Sequence, residues 1–393
     1  MKKIDPRYEV ITDEQAFFEL QAEWDDLWRR AKGSYYQSFA FAWIAWQQTA
    51  KPNGRHLRCI VRRHEGMLAM IWPLVTHQRF LWSCLTPLCP DAADYSDMLI
   101  DEHQYPQTAL WIEEAWLVAT QGRRADLVHL PFVHEASGLY RVATKARGLG
   151  VRTHNDAYVA KLSEECGRHD WTSFCASLDT MGEKKPGSVA RRLGRKGKLV
   201  MQVIDPSDRR RMASIIDVMF EWKRIWADRV GKHGRWLDSM EYRNFLLEWL
   251  CSGTSTAPAH LLVITLDEAP LAALIFCVDN KCVSTLIGGF DQTYRNLSPG
   301  SLVHEYVVKW AFDRKLDLDF GAGTERYKQV WSRRHCKNVW TLQVATSSWG
   351  RIALCAQNAK QMFARTEDAL PASAVPSQCS VAAEPLSGGA KRI

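Results

Sequence analysis

The run LDLDFGAGTERYKQVW, residues 316–331, gathers acidic, basic and phenolic side chains around two glycines. Alternation in its first half puts Leu316, Leu318 and Phe320 on one face of a strand and Asp317 and Asp319 on the other. Gly321 and Gly323 then permit torsions and a closeness of approach that other residues obstruct, so the chain here can pass beside a ligand. The competing reading is a tight turn in which Asp319 accepts hydrogen bonds from the loop's own backbone. Tyr327 and Lys328 read either as reactive groups or as exposed residues at a helix start. The DFG triplet stands without an HRD loop or a VAIK strand, which excludes a protein kinase.

A second segment, STLIGGFDQTYRNLSPGSLVHEYVVKWAF at 284–312, precedes it. Here a strand ends at Gly288–Gly289, an irregular loop follows, and a helix starts with Ser298 as N-cap and Pro299 at the first helical position. The unpaired N–H groups and positive dipole end of such a helix can hold a phosphate or pyrophosphate. Capping alone also accounts for the Ser-Pro pair.

These segments lie in the second of two similar halves. HLRCIVRRHEGMLAMIWPL (56–74) aligns without a gap on HLLVITLDEAPLAALIFCV (260–278), each reading as a β-hairpin that turns at HEG or DEAP. Before each hairpin comes a short strand and an amphipathic helix; after it come a helix and two strands, ending in DAYVAKL or VWTLQVAT. That order predicts mixed sheets with helices on their faces. The first copy's strand ends in HLPFV with no glycine, and the second ends in DFGAGTERYK, which directs the search for chemistry to the second half.

The length of 393 residues suits two domains. A net charge of +7 fits handling of anionic small molecules at least as well as nucleic acid. The eleven cysteines contain no CxxC pair, so neither a zinc knuckle nor a disulfide framework is expected. No apolar run approaches the length of a membrane helix, and MKKIDPRYEV lacks the apolar core of a signal peptide; a cytoplasmic protein without membrane insertion is expected. The basic stretch 184–199 reads as a solvated linker or short helix, or as an anion site through Arg191, Arg192, Arg195 or Lys196. Residues 366–393, rich in Ala, Pro, Ser and Gly, read as a disordered tail. Most of the seventeen tryptophans, among them Trp24, Trp28, Trp222 and Trp226, fall at helical spacing and are expected in the core.

The run YRNLSPGSLVHEY followed by a DFGxGxxxYKxxW pattern (Asp319, Phe320, Gly321, Gly323, Tyr327, Lys328, Trp331) resembles the GNAT acetyltransferases associated with bacterial cellulose and exopolysaccharide biosynthesis, relatives of the Fem peptidyltransferases. The resemblance spans about residues 8–350. It implies an α/β (α+β) chain of two tandem GNAT-like domains, each a mixed, mostly antiparallel sheet flanked by helices. The expected boundaries are 1–162 and 201–352, with 163–200 as a basic linker or helix. It further implies acetyl-CoA or another acyl-CoA as co-substrate; no metal is expected, since DYSDML lacks clustered His or Cys partners. The pyrophosphate would lie at Leu297, Ser298, Pro299, Gly300 and Ser301, and the pantetheine arm beside Leu286, Ile287, Gly288 and Gly289.

Acyl transfer by direct attack needs a base, stabilisation of an oxyanion and a proton for the leaving thiolate. Asp319 or Glu325 is the expected base, Lys328 the positive charge near the oxyanion or an anionic acceptor, and Tyr327 the proton donor; His304 and His335 compete as acid–base groups. Asp94, Tyr95 and Asp97 of DYSDML are expected to line an acceptor cleft with Arg191 and Arg192. The acceptor would be a small molecule or glycan, with an amine or hydroxyl on a sugar or polysaccharide precursor. Two other readings stand: Fem-like transfer from aminoacyl-tRNA gripped by GRKGK, DRRRM and WSRRHCK, and a non-catalytic binding subunit of a polysaccharide machine.

Overall fold

The computed structural model describes residues 7–90, 95–121, 125–178, 186–231, 234–280 and 282–356. Asp94, part of the basic linker and the 366–393 tail lie outside them.

The strands are β1 (Tyr8–Ile11), β2 (His56–His64), β3 (Met67–Arg79), β4 (Trp82–Pro87), β5 (Leu99–Ile100), β6 (Leu127–His134), β7 (Leu149–Ala160), β8 (Leu199–Val203), β9 (Ala259–Leu266), β10 (Ala269–Asp279), β11 (Cys282–Phe290), β12 (Asp317–Ala322) and β13 (Cys336–Ala345). They form one mixed, mostly antiparallel sheet in the order β1-β2-β3-β4-β6-β13-β7-β12-β11-β10-β9-β8, with β5 added against β3. The two hairpins expected from the repeat are β2–β3 and β9–β10. Their turn residues, Glu65–Gly66 and Asp267–Glu268, all have positive φ, as two-residue hairpin turns require.

Each half contributes its last strand to the other half's portion of the sheet. β13 pairs antiparallel with β6, and β7 with β12, while β7 and β13 pair with each other over nine register positions. The halves are therefore joined by main-chain hydrogen bonds through the centre of the sheet.

On one face a single core runs across both halves. Helices Gln21–Ala31 and Phe39–Ala45 meet helices Arg209–Val230 and Met240–Cys251 there, with Phe41 edge-on to Phe245 at 5.2 Å and Tyr35 stacked on Trp249 at 6.0 Å. The opposite face carries two separate cores, one under helix Thr108–Thr120 and one under helix Pro299–Asp313. Burial of this apolar surface is the dominant stabilising contribution. It explains why Trp24, Trp28 and Trp222 are core residues, as their spacing predicts.

Candidate active site

β11 and β12 run parallel and share three register pairs, Cys282–Asp317, Val283–Leu318 and Ser284–Asp319. β11 continues to Phe290 with no further pair to β12, so the two strands part just beyond Asp319. A cavity of about 320 Å³ lies beside the free length of β11. Its walls include Gly288, Gly289 and Phe290 of β11, Ser298, Gly300 and Ser301 at the start of helix Pro299–Asp313, and His304 one turn further on. Trp222, Lys223 and Trp226 of helix Arg209–Val230 close one side, and Glu325 and Tyr327 another.

The glycine pair on β11 answers to packing. A Cβ on Gly289 would stand 3.0 Å from the Met219 carbonyl oxygen, and one on Gly288 would stand 2.7 Å from Leu274 Cδ1. Glycine thus lets helix Arg209–Val230 settle close enough to put Lys223 and Trp226 into the cavity wall. Trp226, expected in the core from its spacing, is only partly buried and faces this cavity. Helical periodicity marks the inward face of a helix but does not distinguish a core from a pocket.

Between β11 and the helix the expected irregular loop is a 3-10 helix, Gln292–Leu297, capped by Asp291. Ser298 occupies the N-cap position and Pro299 the first helical one, as the sequence predicts, but the serine hydroxyl makes no capping bond. Its backbone is left-handed, φ 58° and ψ 50°, where a capping hydroxyl needs extended geometry. In that first turn Pro299 has no N–H and the Ser301 N–H donates to the Ser298 carbonyl at 2.9 Å, which leaves the Gly300 N–H without a side-chain cap at the edge of a cavity that Arg295 also lines. A main-chain donor at the positive dipole end of the helix, in a cavity that an arginine also lines, suits a phosphate or pyrophosphate.

The segment 317–331 forms β12, a bulge and the short helix Arg326–Trp331. Gly321 and Gly323 take φ of 70° and 129°. Asp319 is buried, and its Oδ1 accepts from the Gly321 N–H at 2.7 Å and from the Tyr95 hydroxyl at 2.8 Å. The tight-turn bond expected as a competing reading is therefore present together with a contact from the other half. Burial pushes the Asp319 carboxyl above its ordinary range, against the Gly321 N–H, the Tyr95 hydroxyl, Lys337 and Lys328. Asp317, on the same strand, accepts from Lys161 at 2.9 Å and from the Ser163 hydroxyl at 2.6 Å near the surface.

Lys328 is buried rather than exposed at a helix start. Its Nζ donates to the Ala322 carbonyl at 2.7 Å and pairs with Glu325 at 3.2 Å. It clips the glycine turn and does not line the cavity. Tyr327 stacks on His304 with ring centres 4.2 Å apart. Burial, with Lys328 and Lys223 nearby, holds the His304 imidazole down to about 3, so it is neutral at physiological pH. Burial likewise lowers Lys223. His335 is exposed.

Tyr95 also stacks on His134 at 4.7 Å and meets Tyr36 at 5.8 Å. Close by, Asp279 accepts from the Tyr35 N–H at 2.8 Å, and burial pushes its carboxyl to about 6. Asp97 is raised by burial to about 7 and lines a pocket of about 310 Å³ with Gln37 and His134. Tyr95 thus ties the N-terminal half directly to Asp319, and Asp97 lines a pocket of that same half. Arg191 and Arg192 lie on helix Ser188–Gly194, which packs on helix Pro299–Asp313; neither lines the cavity. Lys223, Trp226 and Arg295 were not singled out as site residues from the sequence. Arg295 alone carried a signal, three positions before Ser298 in the run YRNLSPG.

A mixed sheet whose parallel strands part beside a helix N-terminus is the GNAT fold of acyltransferases. Residues 187–329 match the acetyltransferase (GNAT) domain family. Among solved structures, FemX superposes with a TM-score of 0.54 at 11% identity, over 86% of this chain and 97% of FemX. L-PGS from Bacillus licheniformis superposes with a TM-score of 0.51 at 11% identity, over 88% of this chain and 96% of its own. No curated protein sequence matches the chain significantly. Both structural likenesses are to the fold.

Proposed function

We propose that the chain transfers an acyl group from an acyl-CoA to an amine or hydroxyl of a polar acceptor. The single observation that carries this reading is the parting of β11 from β12 beside a cavity rimmed by the uncapped start of helix Pro299–Asp313. On this reading the donor's pyrophosphate rests on the main chain at 297–301 with Arg295, and the thioester arm follows residues 286–289 toward Asp319. Residues 201–352 carry the donor, and the N-terminal half, 1–162, offers the acceptor surface at Tyr95 and Asp97. The resemblance to acetyltransferases of polysaccharide biosynthesis points to a sugar or polysaccharide precursor in the cytoplasm as acceptor.

The chemistry is direct attack. The acceptor nitrogen or oxygen bonds to the thioester carbonyl carbon, its proton passes through water to the Asp319 carboxylate, which lies behind the cavity wall, and the C–S bond breaks as Tyr327 protonates the leaving sulfur. Gly321 and Tyr95 hold Asp319 in one orientation. Lys328 acts as a positioning residue by fixing the turn that carries Asp319.

The test is thiol release from acetyl-CoA against a panel of amino sugars, sugars and amino acids. Asp319→Ala abolishes transfer while leaving the fold intact. Transfer at the wild-type rate in that variant removes Asp319 from the mechanism. Transfer from aminoacyl-tRNA, with none from acyl-CoA, replaces this reading by the Fem-like one.

A further inference from the structure

The turn between β3 and β4 has two central residues, Phe80 and Leu81, with Arg79 paired to Trp82 across it. Such turns favour glycine or asparagine where φ is positive, yet Phe80 sits at φ 57°. Phe80 is 85% exposed and Leu81 73% exposed. The local geometry is strained, and neither side chain gains burial from it, a combination that points to function rather than to folding.

The tip is braced. The Trp349 indole N–H donates to the Leu81 carbonyl at 3.0 Å, and its ring lies 6.0 Å from that of Trp82. Trp349 and Ile352 lie on one face of a helix at 348–356 and are themselves 43% and 53% exposed. The start of the same helix borders a pocket of about 490 Å³, where Arg147 and Arg351 stand near Ser348 and Thr120. Neither arginine, nor Arg79, forms an ion pair among the described residues. Aromatic and aliphatic side chains at a braced tip, beside free guanidiniums around a polar pocket, match the interface of a bilayer with anionic headgroups.

We propose that this end of the sheet docks on an anionic membrane surface, with Phe80 and Leu81 entering the headgroup–acyl boundary and Arg147 and Arg351 taking lipid phosphates. The inference is independent of the acyl-transfer reading. The test is co-sedimentation of the full chain with vesicles of phosphatidylglycerol and phosphatidylcholine, against pure phosphatidylcholine. Wild type binds the anionic vesicles, and each of Arg147→Gln and Arg351→Gln weakens binding by about fivefold. The pair Phe80→Gly with Leu81→Ser weakens it at least about tenfold. Because Phe80→Gly relieves the left-handed strain, the melting temperature does not fall, so lost binding is not lost folding. Failure of the wild type to sediment, or equal sedimentation of the tip variant, overturns the proposal. So does light scattering that shows a wild-type dimer made monomeric by the tip substitutions, because the patch would then be covered by a second copy.

Discussion

Tyr95→Phe tests the coupling between the two halves. The Tyr95 hydroxyl is one of two donors to Asp319 Oδ1, at 2.8 Å, the other being the Gly321 N–H at 2.7 Å. Burial raises the carboxyl, and both donors oppose that rise by favouring the charged form. A hydrogen bond to a charged group contributes roughly 1.5–3 kcal/mol, and each 1.36 kcal/mol is about tenfold in an equilibrium. Removing the hydroxyl therefore lowers the ionised fraction of Asp319 by roughly 10- to 100-fold on the acid side. If ionised Asp319 is the base, the acid limb of the pH–rate profile moves to higher pH, and the rate recovers at alkaline pH. Tyr95 is not part of the cavity wall, so the KM for acetyl-CoA stays near the wild-type value. The assay is thiol release at saturating donor across pH. An acid limb that does not move, or a loss equal at every pH, refutes the reasoning.

Lys328→Met keeps the side-chain volume but removes the donor from the part-buried Ala322 carbonyl, which costs about 1 kcal/mol in urea unfolding; turnover falls while acetyl-CoA affinity holds. Arg295→Gln weakens acetyl-CoA binding by roughly tenfold and flattens its salt dependence in titration calorimetry, since it removes one charge-assisted phosphate contact. Stability between about pH 4 and 6 is set by opposing groups. His129 and His134 are held down to about 4 and His304 to about 3, so the stability they contribute is present above their unfolded value and is lost as pH falls. Asp279 and Asp97, raised to about 6 and about 7, contribute stability below the unfolded carboxylate range that is lost as pH rises. Asp319, also raised by burial, adds to the acid side, so the two sets oppose one another and each is read through its own variant. Urea melts across that range check this: Asp97→Asn removes a loss that grows with pH, so its stability climbs relative to wild type as pH rises, and an unchanged pH dependence contradicts it.

Much of the scaffold is legible in the sequence because it rests on local signals. The turns at Glu65–Gly66 and Asp267–Glu268 sit where the hairpin pattern puts them, and Pro299 opens its helix. What escapes is long-range. DAYVAKL and VWTLQVAT read as strands of their own halves, but nothing in their alternation says that β7 pairs with β12 and β13 with β6. The Tyr95–Asp319 bond joins residues 224 positions apart, and the two were legible only as separate candidates. Lys328 shows the same limit: a lysine after two glycines suggests a cation for substrate, whereas its ammonium is aimed at the turn's own carbonyls. Of the two sequence readings of Asp319, the turn bond is present, on the same oxygen that meets Tyr95 across the halves.

The central claim is that the gap between β11 and β12 receives the acyl donor. Hydrogen exchange of the full chain with and without saturating acetyl-CoA, read peptide by peptide, tests it most directly. The account predicts slowed exchange at 285–290 and 298–304, with little change in the β2–β3 hairpin. Unchanged exchange in both segments at millimolar donor, or protection confined to the N-terminal half, would contradict it.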